Sequence, residues 1–297
     1  MQQAAQAEGH DSRHLLVDGH THIDQYDPAE LPSLLERSRR AGVGLIIAAG
    51  TTLKSCLAVR LLADSHPGVR AGVGLHPADL TGWVEEATLA ELRALAGHPK
   101  VVEWSETGLD YMPRSPRWEV QHDAFRKQIR LARELGLPLV FHSREADDDT
   151  VRILREEGAG EVGGAWHYFQ GGASLAEAVM DLGFYISLAK PLLRLPELQE
   201  VAAKLPLERT VIETDSYPQP FKKHRERWTE PWHLPQVAAK LAELHDTDVD
   251  TVAETTTANY LRMLGGRVRA DELTRDLDPL PSKGEGELDN GDSVQRA

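Results

Sequence analysis

The chain contains one cysteine, Cys56, so no disulfide bond can form within it. A lack of disulfides is typical of proteins from reducing compartments, and we expect a cytoplasmic location. Basic residues are also scarce: 33 Lys and Arg stand against 47 Asp and Glu, which gives a net charge of −14. This balance argues against a long basic groove, so any nucleic acid must be held locally or through metal ions that neutralise its phosphates.

Long apolar stretches are absent as well. No run approaches the roughly 18 residues of a membrane-spanning helix, and the first fourteen residues lack the apolar core of a signal peptide. We therefore expect no association with membranes, and we favour a monomer. Residues 1–13 and 267–297 are polar, and the second segment is acidic and rich in Gly and Pro. Both segments are predicted to be mostly disordered, with a helical turn at most at the start of the second.

Between these tails, eight short apolar runs alternate with amphipathic stretches over residues 14–266. Runs such as "GVGLIIAAG" and "LPLVFHSR" are apolar at consecutive positions, as in strands that are covered on both faces. The stretch "RWEVQHDAFRKQIRLARELG" spaces its apolar residues by three and four and ends in glycine, which is typical of a helix. This order predicts a single (β/α)8 TIM barrel. An open doubly wound sheet is the alternative, but no Gly-rich dinucleotide fingerprint follows the first strand.

Histidines and carboxylates stand at the ends of the predicted strands. In "LLVDGHTHID" an apolar run finishes in His20 and His22, which lie two residues apart and so point to the same face of a strand. Because the C-terminal strand ends of a barrel meet at one mouth, polar groups from several strands would form one site. The predicted metal ligands are His20, His22, Glu106, His142, His167 and Asp215.

Nitrogen and carboxylate ligands without thiolate suit Zn²⁺, Mn²⁺, Co²⁺ or Ni²⁺, and also Mg²⁺ where oxygen dominates. Six ligands exceed what one tetrahedral ion needs, whereas two divalent ions bridged by a carboxylate would use all of them. Two such ions about 3.5–4 Å apart are the usual clamp for displacement at phosphorus. The role of Asp18 stays open: it either orients a metal-bound histidine or pairs with a neighbour inside the barrel.

These residues belong to motifs that resemble those of the TatD-like metal-dependent deoxyribonucleases, a branch of the amidohydrolase-type barrels. The resemblance runs from Leu15 to Leu264, and its motifs occur in family order: "DGHTHID", "VGLHP", "SETGLDYM", "PLVFHSREADDDT", "WHYFQGG" and "VIETDSYP". The resemblance implies one ion on His20, His22 and Asp215. It implies a second ion on His142 and His167, with Glu106 as the bridge.

The resemblance also implies a function. We expect two-metal hydrolysis of phosphodiester bonds in DNA, in the manner of a 3′-to-5′ exonuclease on single-stranded ends. Glu106 and Asp215 are the expected catalytic residues, and Asp215 would accept the proton of the attacking water. His76 matches a family residue that contacts substrate rather than metal. The chain departs from the family pattern at Ser105, Lys190 and Thr229, which leaves the ligands intact but bears on substrate preference.

Further substrate contacts are assigned to Arg144, Lys190 and Arg227. Arg144 lies two residues after His142 and would reach a phosphate or pair with a barrel acid. Arg227 lies in the loop 217–235, whose cations and tryptophans suit phosphate contact and base stacking, or else form a lid packed on the barrel rim.

Other functions remain open at this point. Barrels of the same branch hydrolyse amides, lactones and phosphotriesters. Many of them bridge their ions with a carboxylated lysine on strand four, where this chain has Glu106. The nearest lysine, Lys100, precedes that strand. Ester hydrolysis on aminoacyl-tRNA is a related alternative. A non-catalytic metal-binding scaffold is disfavoured because the whole ligand set is present.

Overall fold

The structure is a computed structural model, and it describes residues 15–275. Residues 1–14 and 276–297, which include most of the two segments expected to be disordered, lie outside the described residues. No helix within 15–275 is long and apolar enough to cross a membrane. The cytoplasmic location stays a prediction.

Eight strands form one parallel sheet in sequence order, which confirms the predicted barrel over the open doubly wound sheet. The first and last strands meet through backbone hydrogen bonds from His22 N–H to the Ser216 carbonyl (2.8 Å) and from Asp215 N–H to the His20 carbonyl (3.0 Å). The strands are β1 Leu16–Thr21, β2 Val43–Ala49, β3 Val69–Val73, β4 Val101–Asp110, β5 Leu139–Arg144, β6 Gly164–Trp166, β7 Phe184–Leu188 and β8 Thr210–Ile212.

Each strand is followed by an α-helix, and two further helices complete the described chain. The longest helix buries Phe125 and Ile129 on its inner face and ends at Gly136, which adopts the left-handed conformation with φ 62°. The helices are α1 Leu31–Arg40, α2 Leu53–Ser65, α3 Glu86–Ala96, α4 Trp118–Leu135, α5 Asp147–Glu156, α6 Ala173–Asp181, α7 Pro196–Ala202, α8 Leu234–Leu244, α9 Val249–Met263 and α10 Ala270–Arg275.

Two apolar clusters hold the barrel together. The larger one fills the layer between strands and helices, and the smaller one joins strand residues such as Val17 and Val211 to α9. The Tyr260 side chain of α9 reaches β1, where its hydroxyl donates to the Gly19 carbonyl at 2.7 Å. A Cβ at Gly19 would lie 2.3 Å from the Tyr260 ring, so the glycine of "DGHTH" makes room for that ring.

Ordered structure continues past residue 266. Helix α10 occupies the beginning of the segment expected to be mostly disordered, where the sequence suggested at most a helical turn. Leu273 is buried in the smaller apolar cluster, and Glu272 forms an ion pair with Arg70 at 2.5 Å. Burial of one apolar side chain beside an ion pair thus holds α10 against the barrel.

Candidate metal centre

The six predicted ligands come together at the C-terminal ends of the strands. His20 lies in β1 and His22 directly follows it, while Glu106 and His142 lie in β4 and β5. His167 directly follows β6, and Asp215 lies three residues beyond β8. Five of them line an open cleft of about 890 Å³ together with His76, whereas His20 is fully buried behind it; the five are His22, Glu106, His142, His167 and Asp215.

Glu106 lies at the centre of this group. Its Oε2 is 3.4 Å from Nε2 of both His20 and His22. Its Oε1 is 3.4 Å from His142 Nδ1 and 3.3 Å from His167 Nε2. A tetrahedral ion with bonds of about 2.0–2.1 Å holds its ligand atoms about 3.3–3.4 Å from one another. The two oxygens of Glu106 therefore each face a set of nitrogens at the spacing of ligands around one ion.

His20 provides a separate test of whether a cation fits. Its Nε2 is buried and has no hydrogen-bond partner among the residues that the structure describes, which is costly for a polar atom away from water. Ligand atoms of His20, His22 and Glu106 lie within 4.8 Å of one another, and so do those of His20, His167 and Asp215. A divalent ion would satisfy the His20 nitrogen, and the residues present fit such an ion.

In three histidines, the ring nitrogen that points away from Glu106 donates a hydrogen bond, and this fixes which nitrogen is available to a metal. His22 donates from Nδ1 to the Ala49 carbonyl at 3.1 Å, and His167 donates from Nδ1 to Glu213 at 2.7 Å. His142 donates from Nε2 to Asp110 at 3.2 Å. Each bond leaves the nitrogen that faces Glu106 without a proton in the neutral ring, as a metal ligand requires.

His76 has the opposite arrangement. Its Nδ1 accepts the Ala78 N–H at 3.1 Å, so in the neutral ring Nε2 carries the proton. That Nε2 lies 3.3 Å from Glu106 Oε1, close to the ligand atoms of His142. A protonated nitrogen donates a hydrogen bond and cannot bind a metal, which supports the predicted contact of His76 with substrate.

Sequence analysis did not single out Asp110 or Glu213, although both stand within motifs already quoted. Besides His142, Asp110 accepts the Met112 N–H at 2.9 Å and the Ser115 hydroxyl at 2.6 Å. Besides His167, Glu213 accepts the Tyr168 N–H at 2.9 Å. An acid close in sequence to a predicted ligand is the signal that could have found them.

Asp18 pairs with a neighbour inside the barrel. Its two oxygens accept the Thr214 backbone N–H at 2.8 Å and the Thr214 hydroxyl at 2.6 Å. Of the two roles left open by the sequence, the structure shows the second, and Asp18 ties β1 to the segment after β8.

The carboxylates of the centre have different proton affinities. Burial opposes ionisation of Glu106, but the neighbouring His76 and His167 hold its pKa well below the usual range. Burial raises the pKa of Asp215 to about 6, against the opposing effect of His167 and His22. The surroundings thus favour the anionic form at Glu106 and oppose it at Asp215.

The predicted substrate contacts fall in three places. Arg144 is exposed, lines the cleft beside His76 and forms no ion pair with a described carboxylate, so the pairing considered for it is absent. Lys190 lines a neighbouring cavity of about 410 Å³. Arg227 is exposed and lines neither cavity, as far as the described residues go.

The loop after β8 is tied down in part. Arg225 pairs with Glu230 at 2.5 Å and lies over the Trp228 ring at 4.2 Å, while Glu230 also binds Arg37 of α1 at 2.7 Å. Trp232 donates to Glu230 at 3.0 Å. Trp228 packs against the larger apolar cluster. These contacts favour the packed-lid interpretation for this part of the loop over base stacking.

A buried acid below the ligands belongs to a different network. Glu103 of β4 is fully buried, and its Oε2 lies 2.7 Å from the Tyr260 hydroxyl. Tyr260 has one hydroxyl proton, and the Gly19 carbonyl accepts it at the same distance, 2.7 Å. A protonated Glu103 would donate to the Tyr260 oxygen and complete the network. Burial raises the pKa of Glu103 to about 8, which agrees with this arrangement.

The Glu103→Gln variant is expected to gain stability over the wild type as pH rises. Glu103 titrates near pH 4.5 in the unfolded chain and near 8 in the folded one, so the folded state binds more protons between these values. The wild type therefore loses stability from pH 4.5 to 8, while glutamine does not titrate. Urea unfolding of metal-stripped protein should show a difference that grows by roughly 2–4 kcal/mol between pH 5 and pH 9.

A surface variant provides the control for this measurement. Glu200 is exposed on α7, and Glu200→Gln should follow the wild type at every pH. A constant offset between the Glu103→Gln variant and the wild type from pH 5 to pH 9 would show that Glu103 is ionised in the folded protein.

Comparisons with a family profile, with curated proteins and with a solved structure agree on one family. The family profile described as "TatD related DNase" matches residues 17–265. The chain is 36% identical over 257 residues to the metal-dependent hydrolase YabD of Bacillus subtilis, covering 84% of this chain and 98% of that protein. It is 35% identical over 260 residues to the metal-dependent hydrolase TatD of Mycobacterium tuberculosis, covering 84% and 98%. The crystal structure of YjjV, a TatD homologue from Escherichia coli, superposes with a TM-score of 0.76 at 30% identity, covering 84% and 97%.

Proposed function

Because the chain belongs to the TatD-related DNase family and is a metal-dependent hydrolase, we propose that it hydrolyses phosphodiester bonds of DNA. We further propose that it acts as a 3′-to-5′ exonuclease on single-stranded ends. The observation that carries the proposal is the position of Glu106, whose two oxygens face separate sets of histidines at 3.3–3.4 Å in an open cleft. That arrangement suits two ions on either side of one carboxylate, the clamp used for displacement at phosphorus.

His20, His22 and Asp215 would hold one ion, and His142 and His167 the other, with Glu106 between them. Bound divalent ions supply Lewis-acid chemistry, which polarises the phosphoryl group and acidifies water. Glu213 and Asp110 keep His167 and His142 in the orientation and protonation state that this requires. The native metal among Zn²⁺, Mg²⁺, Mn²⁺, Co²⁺ and Ni²⁺ stays a prediction.

The remaining steps fall to side chains of the cleft. Asp215 accepts the proton of the attacking water through a carboxylate oxygen. Arg144 holds a non-bridging phosphate oxygen with its planar pair of donors. His76 donates its Nε2 proton in a hydrogen bond to another oxygen of the substrate. A preference for chain ends is supported by the net charge of −14, which opposes a long footprint on duplex DNA.

The test combines metal content with a panel of substrates. We expect about two ions per chain after loading and cleavage of single-stranded DNA in preference to duplex DNA, RNA, aminoacyl-tRNA, simple esters and lactones. Asp215→Asn, which can neither accept the proton nor offer a charged ligand oxygen, should lower kcat by about 10²–10⁴-fold or more. A metal-loaded wild type that leaves every nucleic acid intact yet opens a lactone or deacylates aminoacyl-tRNA would overturn the proposal.

A further inference from the structure

A second cavity of about 410 Å³ adjoins the metal centre and contains a group of cations. Tyr168, Asp215 and Tyr217 line both this cavity and the main cleft, so groups bound in the two are neighbours. The residues that line the second cavity but not the main cleft include three cations and an exposed aromatic ring: Lys190, Arg194, Lys222 and Phe221. We refer to these four residues as the cationic subsite.

The charges of the cationic subsite are not neutralised within the protein. None of its three cations forms an ion pair with a carboxylate in the described part of the chain. Lys190 donates to the Thr229 hydroxyl at 3.3 Å, and Lys222 donates to the Gln219 amide oxygen at 2.6 Å. These partners are neutral, and so is the Arg227 backbone carbonyl, to which Lys222 also donates at 3.2 Å. In a chain with a net charge of −14, a cavity whose lysines have only neutral partners is suited to an external anion.

The cations also act on one another. Burial and the charge of Lys222 lower the pKa of Lys190, and burial and the charge of Arg194 lower the pKa of Lys222. Among the lining residues that the structure describes, Asp215 is the one carboxylate, and it is a predicted metal ligand. Mutual repulsion that no ion pair offsets is relieved when an anion binds between the cations.

We propose that the cationic subsite binds the phosphate of the nucleotide next to the scissile bond, with Phe221 available to stack on its base. This proposal rests on the proposed function and adds that the substrate is a strand with at least two phosphates. Phe221 is 70% exposed, which leaves its face open to a base. Lys190 is one of the positions where the chain departs from the family pattern.

The kinetic test compares thymidine oligomers with one phosphodiester (the dinucleotide) and two (the trinucleotide). The metal-loaded wild type should prefer the trinucleotide by about tenfold or more in kcat/KM. The double variant Lys190→Ala/Lys222→Ala should reduce this preference to about threefold or less, and Lys190→Arg/Lys222→Arg should restore it because the charges return. Lys223 follows Lys222 but does not line the cavity. Lys223→Ala also removes a positive charge and should keep the wild-type ratio of kcat/KM for the two oligomers.

A binding test separates this proposal from the proposed function. The full chain, stripped of metal, is titrated against a labelled single-stranded hexathymidylate by fluorescence anisotropy. Lys190→Ala/Lys222→Ala should weaken binding about tenfold and reduce the slope of log K against log salt by roughly 0.7, the share of one phosphate on a single strand. An unchanged Kd in this variant, or no trinucleotide preference in an active wild type, would overturn the subsite. If neither oligomer is cleaved but the Kd responds as expected, the subsite stands and the diesterase function fails.

Discussion

The Glu106→Gln variant is expected to lose both its metal and its hydrolytic activity. Metal content should fall from about two ions per chain to about half an ion or less, and kcat/KM should fall by roughly 10³-fold or more. The reason is geometric, because one carboxylate places an oxygen 3.4 Å from His20 and His22 and the other oxygen 3.3–3.4 Å from His142 and His167. Glutamine keeps the shape but removes the charge that both ions would share. Metal analysis and single-turnover cleavage measure the two losses.

Glu145→Gln is the matched control, since Glu145 lines the same cleft, is exposed and lies outside the ligand groups. This variant should keep its full metal content. Two ions per chain together with undiminished cleavage in Glu106→Gln would show that Glu106 does not bridge the ions.

The Gly164→Ala variant is expected to have the largest effect on stability. Gly164 begins β6 with φ +138°, and a Cβ there would lie 1.8 Å from the Leu139 carbonyl oxygen of β5. Backbone of a neighbouring strand cannot move aside without breaking the β5–β6 pairing. We expect a loss of roughly 3 kcal/mol or more in the free energy of unfolding, or no recovery of folded protein. Denaturant unfolding and the yield of soluble protein measure it.

Two other glycines calibrate this result. Gly183→Ala meets only the strain of φ +98°, because the added Cβ would lie 3.5 Å from the Gly160 carbonyl oxygen, an ordinary contact distance. We expect a loss of about 1–2 kcal/mol there. Gly82→Ala meets no atom within 4 Å and should change stability by about 0.5 kcal/mol or less. Equal losses at all three positions would show that crowding at β5 is not the cause.

The fold was predictable because periodicity and burial agree in a barrel. The run "VVEWSETGLD" is β4, Val101–Asp110, and "RWEVQHDAFRKQIRLARELG" contains α4, Trp118–Leu135. Helix α10 was less predictable. Its burial rests on Leu273 and on the pairing of Glu272 with Arg70, which lies 202 residues away in the chain. A pattern read over a short window cannot detect a contact of that kind.

The candidate site also has a part that was predictable from the sequence and a part that was not. Every predicted ligand reaches the mouth because its place at a strand end is a local property. The loop after β8 behaves differently. The cation of Arg225 suits a phosphate contact, but it already forms an ion pair with Glu230 and lies over the Trp228 ring. Lys190, also assigned to substrate, lies in the cavity beside the cleft. Charge alone does not reveal which cations already have a partner.

The barrel and the members of the ligand set follow from local patterns, because apolar runs specify the strands and the C-terminal strand ends of a barrel meet at one mouth. The folded structure is needed to show which oxygen of Glu106 faces which histidines and which ring nitrogen each histidine presents. Those choices depend on partners far along the chain: the Ala49 carbonyl is 27 residues from His22, and Glu213 is 46 residues from His167. A hydrogen bond between such partners exists only after the barrel has closed, so no local pattern could specify it.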